Sequence, residues 1–449
     1  MLSAATVDEI EARHPDLFKG VSRRSVIGWL TTAGVVAYAV FAWWFFSIGA
    51  VLAGGNWSIA GSYLADWVSY ETRPTITFEN SRLSVSYPRF SAYRPDRQPD
   101  WVTLEGETEP GTATRILLDM RGTTIDIVPQ QVRVDHDGEI LVLDIGPGEE
   151  VHPRGSLPAW ASQKEPGGRV PLDFGFKGRI DVEGDEVKVR QRFWGWENFF
   201  FDANSPFWGK SFGQVMALIV SGERIDPAHS NLSLAWDNIV NNAEWQHGDV
   251  WLKLLQTIVM AFVGTVLASL LAFPLAFLAA RNITGSRIVN QVTKRLFDFL
   301  RAVDMFIWAL FFTRAFGPGP LAGISAIFFT DTGTLGKLYS ETLENIDDRQ
   351  REGIRSVGAA PILVQRYGVL PQVMPVFLSQ SLYFWESNTR SATIIGAVGA
   401  GGIGLKLWEA MRTNTDWENV AYMVLLILMV VYVFDGVSSS LRRRLMGHS

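Results

Sequence analysis

The stretch EGIRSVGAAPILVQRYGVLP, residues 352–371, decides the fold because it predicts a compact helix pair on a polar loop. A short helix is expected over 352–357, and Gly358 with Pro361 breaks it because glycine and proline are poor helix formers. A second helix is expected from Ile362 until Pro371 ends it. Such a pair would form a rigid projection for the cleft of a partner protein; an ordinary amphipathic loop is the alternative.

Long apolar runs lie on both sides of this loop. Six of these runs are long enough to cross a membrane as a helix, which needs about 20 residues. They are 26–52, 252–280, 297–316, 321–343, 372–398 and 420–437. Pro274 lies inside the second run, where it would kink a membrane helix without excluding it. The sequence therefore predicts a polytopic α-helical membrane protein with six spans.

Basic residues predict how these spans are oriented. Arg23 and Arg24 precede the first span, which places the N-terminus in the cytoplasm by the positive-inside rule. Further clusters follow the second, fourth and sixth spans: Arg281, Arg287, Lys294 and Arg295; Arg349, Arg351, Arg355 and Arg366; Arg442, Arg443 and Arg444. Six spans put every cluster and both termini on the cytoplasmic side, whereas five or seven would not.

The composition excludes several classes of protein. Of the 449 residues, 47% are hydrophobic and 19% are charged, below the soluble level of about 25%. A formal charge of −6 provides no general basic field for nucleic acid. The chain has no cysteine, its six histidines lack metal-ligand spacing, and it has no Walker loop. No metal, cofactor or ATP site is expected in this chain.

Residues 56–248 separate the first two predicted spans and would lie outside the cytoplasm. Alternating apolar and polar residues flank Asp137-Gly138 and Glu183-Gly184, which predicts two β-hairpins within a β-rich core at about 75–192. An aromatic segment follows at 193–208. It suits either the membrane–water interface or the core of the extracytoplasmic domain.

Two groups of residues within the spans are candidates for function. Glu386 and Arg390 lie one turn apart in the fifth span, where they predict either a structural ion pair or a polar lining of a substrate path. The second group is a set of glycines at the end of the fifth span, which predicts a flexible break or close helix packing: Gly396, Gly399, Gly401, Gly402 and Gly404. Apart from these two groups, Arg301 and Asp304 lie at the start of the third span and are expected at its interface with water.

The loop resembles the E-A-A-x3-G-x9-I-x-L-P motif of the permease subunits of binding-protein-dependent ABC importers. Four residues fall on its fixed positions: Glu352, Gly358, Leu370 and Pro371. Gly353 and Ile354 replace the two alanines, and Gly368 replaces the isoleucine. Within this family the chain is most similar to the phosphonate-importer permease over about 252–445, including 297–303, 366–372 and 391–404.

The resemblance implies the type I ABC importer permease fold, with a β-rich extracytoplasmic insert that lies outside the family pattern. Its domains would be a cytoplasmic N-terminus (1–25), a first helix (26–55), a periplasmic insert (56–248) and a core (249–445) with a coupling loop at 345–371. It implies an inner-membrane protein paired with a second copy or a paralogous permease, an ATPase dimer and a periplasmic solute-binding protein. The resemblance implies import of phosphonate or a related phosphorus oxyanion by alternating access. The alternatives are a permease for methionine or glycine betaine, and a membrane-anchored sensor.

Overall fold

The computed structural model describes residues 12–13, 15–55, 61, 64–79, 82–88, 91–146, 150–413 and 417–446. The chain forms two compact units, Met1–Leu64 and Ala65–Ser449. The first unit contains helices α1 (Pro15–Phe45) and α2 (Ile48–Gly54). The apolar side chains of α1 from Val26 onward, such as Trp44, are exposed, as in a helix whose surroundings are lipid.

The second unit begins with a β-rich region of two antiparallel sheets. One has the order β11-β12-β13-β2-β3-β5, with β1 also paired to β13, and the other has the order β10-β9-β8-β7-β6-β4. Buried Val, Ile and Leu side chains from alternate positions of both sheets form one core. The strands are β1 (Ser69–Thr72), β2 (Thr75–Glu79), β3 (Arg82–Ser86), β4 (Val102–Glu105), β5 (Thr112–Ala113), β6 (Arg115–Asp119), β7 (Thr123–Val128), β8 (Gln131–His136), β9 (Glu139–Ile145), β10 (Val151–Pro153), β11 (Val170–Asp173), β12 (Gly178–Val182) and β13 (Glu186–Trp194).

Both predicted hairpins are present. Asp137 and Gly138 join β8 to β9 with positive φ angles of 49° and 88°, as a two-residue turn between twisted strands requires. Gly184 lies in the turn that joins β12 to β13. The β-rich character of this region is confirmed, and its strands extend from Ser69 to Trp194.

Helices form the rest of the second unit. They are α3 (Phe212–Ser221), α4 (Asn231–Val240), α5 (His247–Ala279), α6 (Arg287–Ala302), α7 (Met305–Phe316), α8 (Pro320–Glu344), α9 (Asp348–Ser356), α10 (Pro361–Val364), α11 (Leu370–Ile395), α12 (Gly402–Thr413) and α13 (Trp417–Met446). Small residues let them approach closely: Gly333 of α8 packs on Leu300, and Gly336 packs on the ring of Phe297 in α6.

The prediction of a single third span over 297–316 is wrong. The run is divided between α6 and α7, because Asp304 leaves the helix and its side chain accepts a hydrogen bond from the Phe306 N–H at 2.8 Å. Helix α7 has 12 residues, about 18 Å, which is short of a bilayer core of about 30 Å.

In the part of the chain that the structure describes, fewer than six helices are long and apolar enough to cross a membrane as single helices. In the described ranges three qualify, over Val26–Phe45, His247–Ala279 and Trp417–Leu445. A fourth qualifies if Pro361–Ala400 and Gly402–Thr413, which meet at 60°, count as one bent span. Helix α8 is 25 residues long but carries Asp331 and Lys337 within its length.

Candidate functional site

The coupling loop, residues 345–371, contains the expected short helix. Helix α9 ends at Ser356, and Gly358 then adopts a φ of 78°, a left-handed conformation that favours glycine. The prediction that Pro371 ends the second helix is wrong. The chain continues from α10 through a π-helical turn (Gln365–Val369) into α11, and Pro371 lies directly after this turn.

The two halves of the coupling loop pack together and against the loop that follows α5. A Cβ on Gly368 would stand 3.3 Å from the Cα of Arg351 and from Cδ1 of Ile354, so this position accepts little more than glycine. The Arg351 guanidinium donates to the carbonyl oxygen of Asn282 at 3.1 Å. These contacts hold the coupling loop as a fixed projection.

The coupling loop also presents apolar side chains that its own fold leaves uncovered. Val357 is 81% exposed and Ile362 is 76% exposed, and Tyr367 is exposed beside them. Glu352 lies on the exposed side of α9 in the same loop. Large apolar groups interspersed with charge are typical of a surface that a protein partner covers.

Glu386 and Arg390 are brought together, but a third residue is the nearer partner. Glu386 is 8% exposed in α11, and its Oε2 lies 3.1 Å from Nη2 of Arg442 in α13. Its Oε1 lies 3.7 Å from Nη2 of Arg390, whose side chain is 60% exposed. The contact with Arg442 was not predicted, because that arginine belongs to a basic cluster that was interpreted only as a topology signal.

The glycine-rich segment forms both a break and a close helix contact. A π-helical turn (Gly396–Ala400) ends α11, Gly399 and Gly401 have φ angles of 98° and 83°, and α12 leaves at 60°. The Gly319 N–H donates to the Gly399 carbonyl at 2.9 Å, which joins the break to the turn before α8. Gly396 and Gly404 pack on each other, and Gly402 packs on Thr257 of α5.

A buried polar cluster at the centre of the helices was not predicted. The Asn388 side-chain amide donates to Oγ1 of Thr265 at 2.8 Å and to a carboxylate oxygen of Asp331. These side chains come from α11, α5 and α8, and each is at most 3% exposed. A lone aspartate inside the apolar run 321–343 is the signal that could have indicated it.

The aromatic segment lies outside the core of the two sheets and packs with the neighbouring helices in two clusters of its own. Trp196 and Phe199 pack with Trp245 and Tyr422 at the N-terminal ends of α5 and α13. His247 bridges the group, since its Nδ1 lies 2.8 Å from the Tyr422 hydroxyl and its Nε2 lies 2.6 Å from the Phe199 carbonyl. The segment therefore attaches the β-rich region to the helices.

Two carboxyl groups at this junction favour their neutral form. Burial raises the pKa of Glu197 to about 7. Burial also raises the pKa of Glu244 to about 7, and the nearby charge of Glu197 adds to the effect. The junction is therefore more stable when these carboxyl groups are protonated than when they are ionised.

One acidic cluster in the described residues has the spacing of metal ligands. Carboxylate oxygens of Glu183, Asp185 and Glu186 lie within 4.8 Å of one another at the β12–β13 turn. Lys188 neutralises part of this charge, with its Nζ 3.1 Å from Glu183 and 2.6 Å from Glu186. The cluster therefore resembles a solvated ion-pair network more than a metal site.

The arrangement defines a membrane permease subunit: a helical core with a projecting coupling loop, a glycine break and buried polar groups. Residues 272–446 match the family described as binding-protein-dependent transport system inner membrane component. The chain belongs to this family, and its helical part has the type I ABC importer permease fold. The β-rich region lies outside the match.

Several known proteins are similar to this chain. The phosphite transport system permease protein PtxC of Stutzerimonas stutzeri is 37% identical over 43% of this chain and 70% of its own length. A protein of Escherichia coli (strain K12) named as a cryptic phosphonate transport system permease, PhnE2, is 51% identical over 26% of this chain and 96% of its own length. Among solved structures, an inward-facing MetNI methionine ABC transporter aligns over 44% of this chain and 96% of its own, with 19% identity and a TM-score of 0.39.

Proposed function

We propose that this chain is the permease subunit of an ATP-driven importer for phosphonate, phosphite or a related small phosphorus oxyanion. The identity of 37% with a phosphite permease and of 51% with a phosphonate permease is the observation that carries this proposal. The chain would work in the bacterial inner membrane by alternating between inward- and outward-open states. It would hold no cofactor, since ATP would be hydrolysed by a partner subunit.

The coupling loop is proposed to receive the ATPase dimer. The loop has a surface that is both apolar and charged, formed by the exposed side chains of Val357, Ile362 and Glu352. The contacts within the loop hold this surface rigid. The glycine break between α11 and α12 is proposed as the gate or hinge, because its positive φ angles and 60° bend make it the point where two helices can change their angle.

The proposed topology has six crossings, with α6 and α7 together forming a broken third crossing and α8 the fourth. Both termini would be cytoplasmic and the β-rich region periplasmic, where a solute-binding protein would deliver the solute. A second copy or a paralogous permease would complete the pathway. Arg390 is the candidate pathway residue within α11, because its side chain is 60% exposed and lies only 3.7 Å from Glu386.

Uptake by cells tests the function. A bacterial host without phosphorus-oxyanion importers would express this chain with an ATPase and a solute-binding protein of a phosphorus-oxyanion importer. We expect growth on methylphosphonate or phosphite as sole phosphorus source, and accumulation of the labelled solute. If the cells take up methionine or glycine betaine instead, the proposed solute class is wrong. If the cells take up no solute but produce a cytoplasmic signal, the chain acts as a sensor.

A further inference from the structure

A basic recess lies between α6 and α8, apart from the groups assigned above. It has a volume of about 680 Å³, and its lining residues are Arg295, Asp298, Arg301, Ala302, Thr334 and Lys337. Among these described residues three are cationic and Asp298 is the only carboxylate. The recess therefore carries a formal charge of +2.

The single carboxylate is shared by all three cations. Its Oδ1 lies 3.1 Å from Nζ of Lys337 and 3.3 Å from a guanidinium nitrogen of Arg301. Its Oδ2 lies 3.4 Å from Arg295, which is 84% exposed on its side chain. One negative charge cannot compensate three positive ones, so most of the donors of Arg301 and Lys337 remain available to a ligand.

A balanced ion pair on the same two helices contrasts with the surplus charge of the recess. Lys294 of α6 pairs with Glu344 at the end of α8 at 2.7 Å, a balanced pair. Arg301 lies seven residues after Lys294 in α6, and Lys337 lies seven residues before Glu344 in α8, which is about 10 Å along each helix axis. Among the described residues that line the recess there, no second carboxylate balances the charge, so the surplus favours an anion in the cavity.

We propose that this recess binds a phosphorus oxyanion, either the transported solute or the phosphate of a lipid head group. The planar Arg301 guanidinium can hold two oxygens of a tetrahedral anion, and Lys337 can hold a third. A phosphoryl group of charge between −1 and −2 balances the surplus better than a carboxylate does. The inference rests on the proposed function, from which it takes the membrane position and the solute class.

Lysine labelling measures binding at the recess directly. The complete transporter, in a phosphate-free detergent, is treated with an amine-reactive reagent, and acetylation of individual lysines is quantified by mass spectrometry. Methylphosphonate should slow the labelling of Lys337 roughly tenfold, the effect of a charge-assisted contact. Labelling of Lys294 should not change, and Arg301→Gln should remove the protection.

A lipid arm separates the two sources of the anion. Phosphatidylglycerol is added in place of methylphosphonate. Protection by methylphosphonate assigns the recess to the solute, whereas protection by the lipid alone assigns it to a head group. Protection of Lys337 by neither, or equal protection of Lys294, overturns the proposal.

Uptake at matched abundance tests the solute arm in cells. Lys337→Gln and Arg301→Gln should each lower methylphosphonate uptake about tenfold, and Arg301→Lys should retain part of it. Arg287→Gln, which removes a positive charge from the exposed start of the same helix, should leave uptake unchanged. If Lys337 is protected in a wild-type transporter that imports no phosphorus oxyanion, the proposed function is rejected and the binding site is kept. If the wild-type transporter imports the solute but Lys337 is not protected, only the binding site is rejected.

Discussion

Arg442, rather than Arg390, is expected to be the structural partner of Glu386. Arg442→Gln leaves the buried carboxylate without its contact at 3.1 Å, at a cost of about 3–5 kcal/mol. We expect a marked loss of membrane abundance and of thermal stability, partly recovered when Glu386→Gln is added. Abundance measured by immunoblot that equals the wild type would contradict this assignment.

Arg390→Gln is the matched comparison, because it removes a longer contact from an exposed side chain. Abundance should stay near the wild-type level. If Arg390 attracts the anion, uptake should fall and Arg390→Lys should restore part of it. Normal uptake and normal abundance in Arg390→Gln would remove both the structural and the pathway role.

Glu197 and Glu244 should make the junction less stable at alkaline pH. Their pKa values rise from an unfolded value of 4.5 to about 7, so folding favours the protonated form. This contribution is complete below about pH 4.5 and is lost as the pH rises through about 7. The thermal unfolding midpoint should fall between about pH 5 and about pH 8, and it should fall less in the double variant Glu197→Gln, Glu244→Gln.

The control is Glu109→Gln in an exposed loop, which should keep the wild-type dependence of the unfolding midpoint on pH. The same pH dependence in the double variant as in the wild type would refute the assignment.

At the level of helices, the contact between α6 and α8 should be intolerant of added volume. A methyl group on Gly336 would meet the ring of Phe297, and overpacking of this kind costs about 1–3 kcal/mol. Gly336→Ala should lower the unfolding midpoint in detergent. Gly353→Ala, which meets nothing within 4 Å on α9, should keep or slightly raise it, and equal shifts in both variants would count against the packing argument.

The coupling loop should transmit ATP hydrolysis to the helices. Glu352→Arg reverses a charge on its exposed side, and Gly358→Trp places bulk at a φ of 78°. Both variants should reach the membrane, lose co-purification of the ATPase, and lower uptake at least about tenfold. Glu109→Arg in the β-rich region is the charge-matched control. Undiminished uptake in both loop variants would exclude the loop from coupling.

Local signals in the sequence predicted local structure well. The hairpin at Asp137-Gly138 follows from turn chemistry alone, and the break at Gly358 follows from glycine between two helical stretches. The break at Asp304 was missed because one charged residue was outweighed by the apolar run around it. The Glu386–Arg442 contact was missed because it joins residues 56 positions apart, and hydrophobic periodicity contains no information on such pairings.

For the whole molecule, the proposed topology predicts one location for the β-rich region. Reporter fusions at Gly138 and Gly184, both in turns between strands, should be active only as periplasmic reporters. A fusion after Arg444 should be active only as a cytoplasmic reporter, since it follows the last basic cluster. Cytoplasmic activity at either glycine would overturn the six-crossing arrangement.

The pairing of β1 with β13 has a consequence for the origin of the chain. Ser69 lies opposite Trp194 in this pairing, so the β-rich region leaves and rejoins the rest of the fold at neighbouring points, about 5 Å apart. A gene segment that encodes residues 70–193 could therefore be gained or lost in a single event without moving the helices. A permease that lacks this region would need only a short connection between these two points, and a foreign domain with adjacent ends could be grafted at the same place.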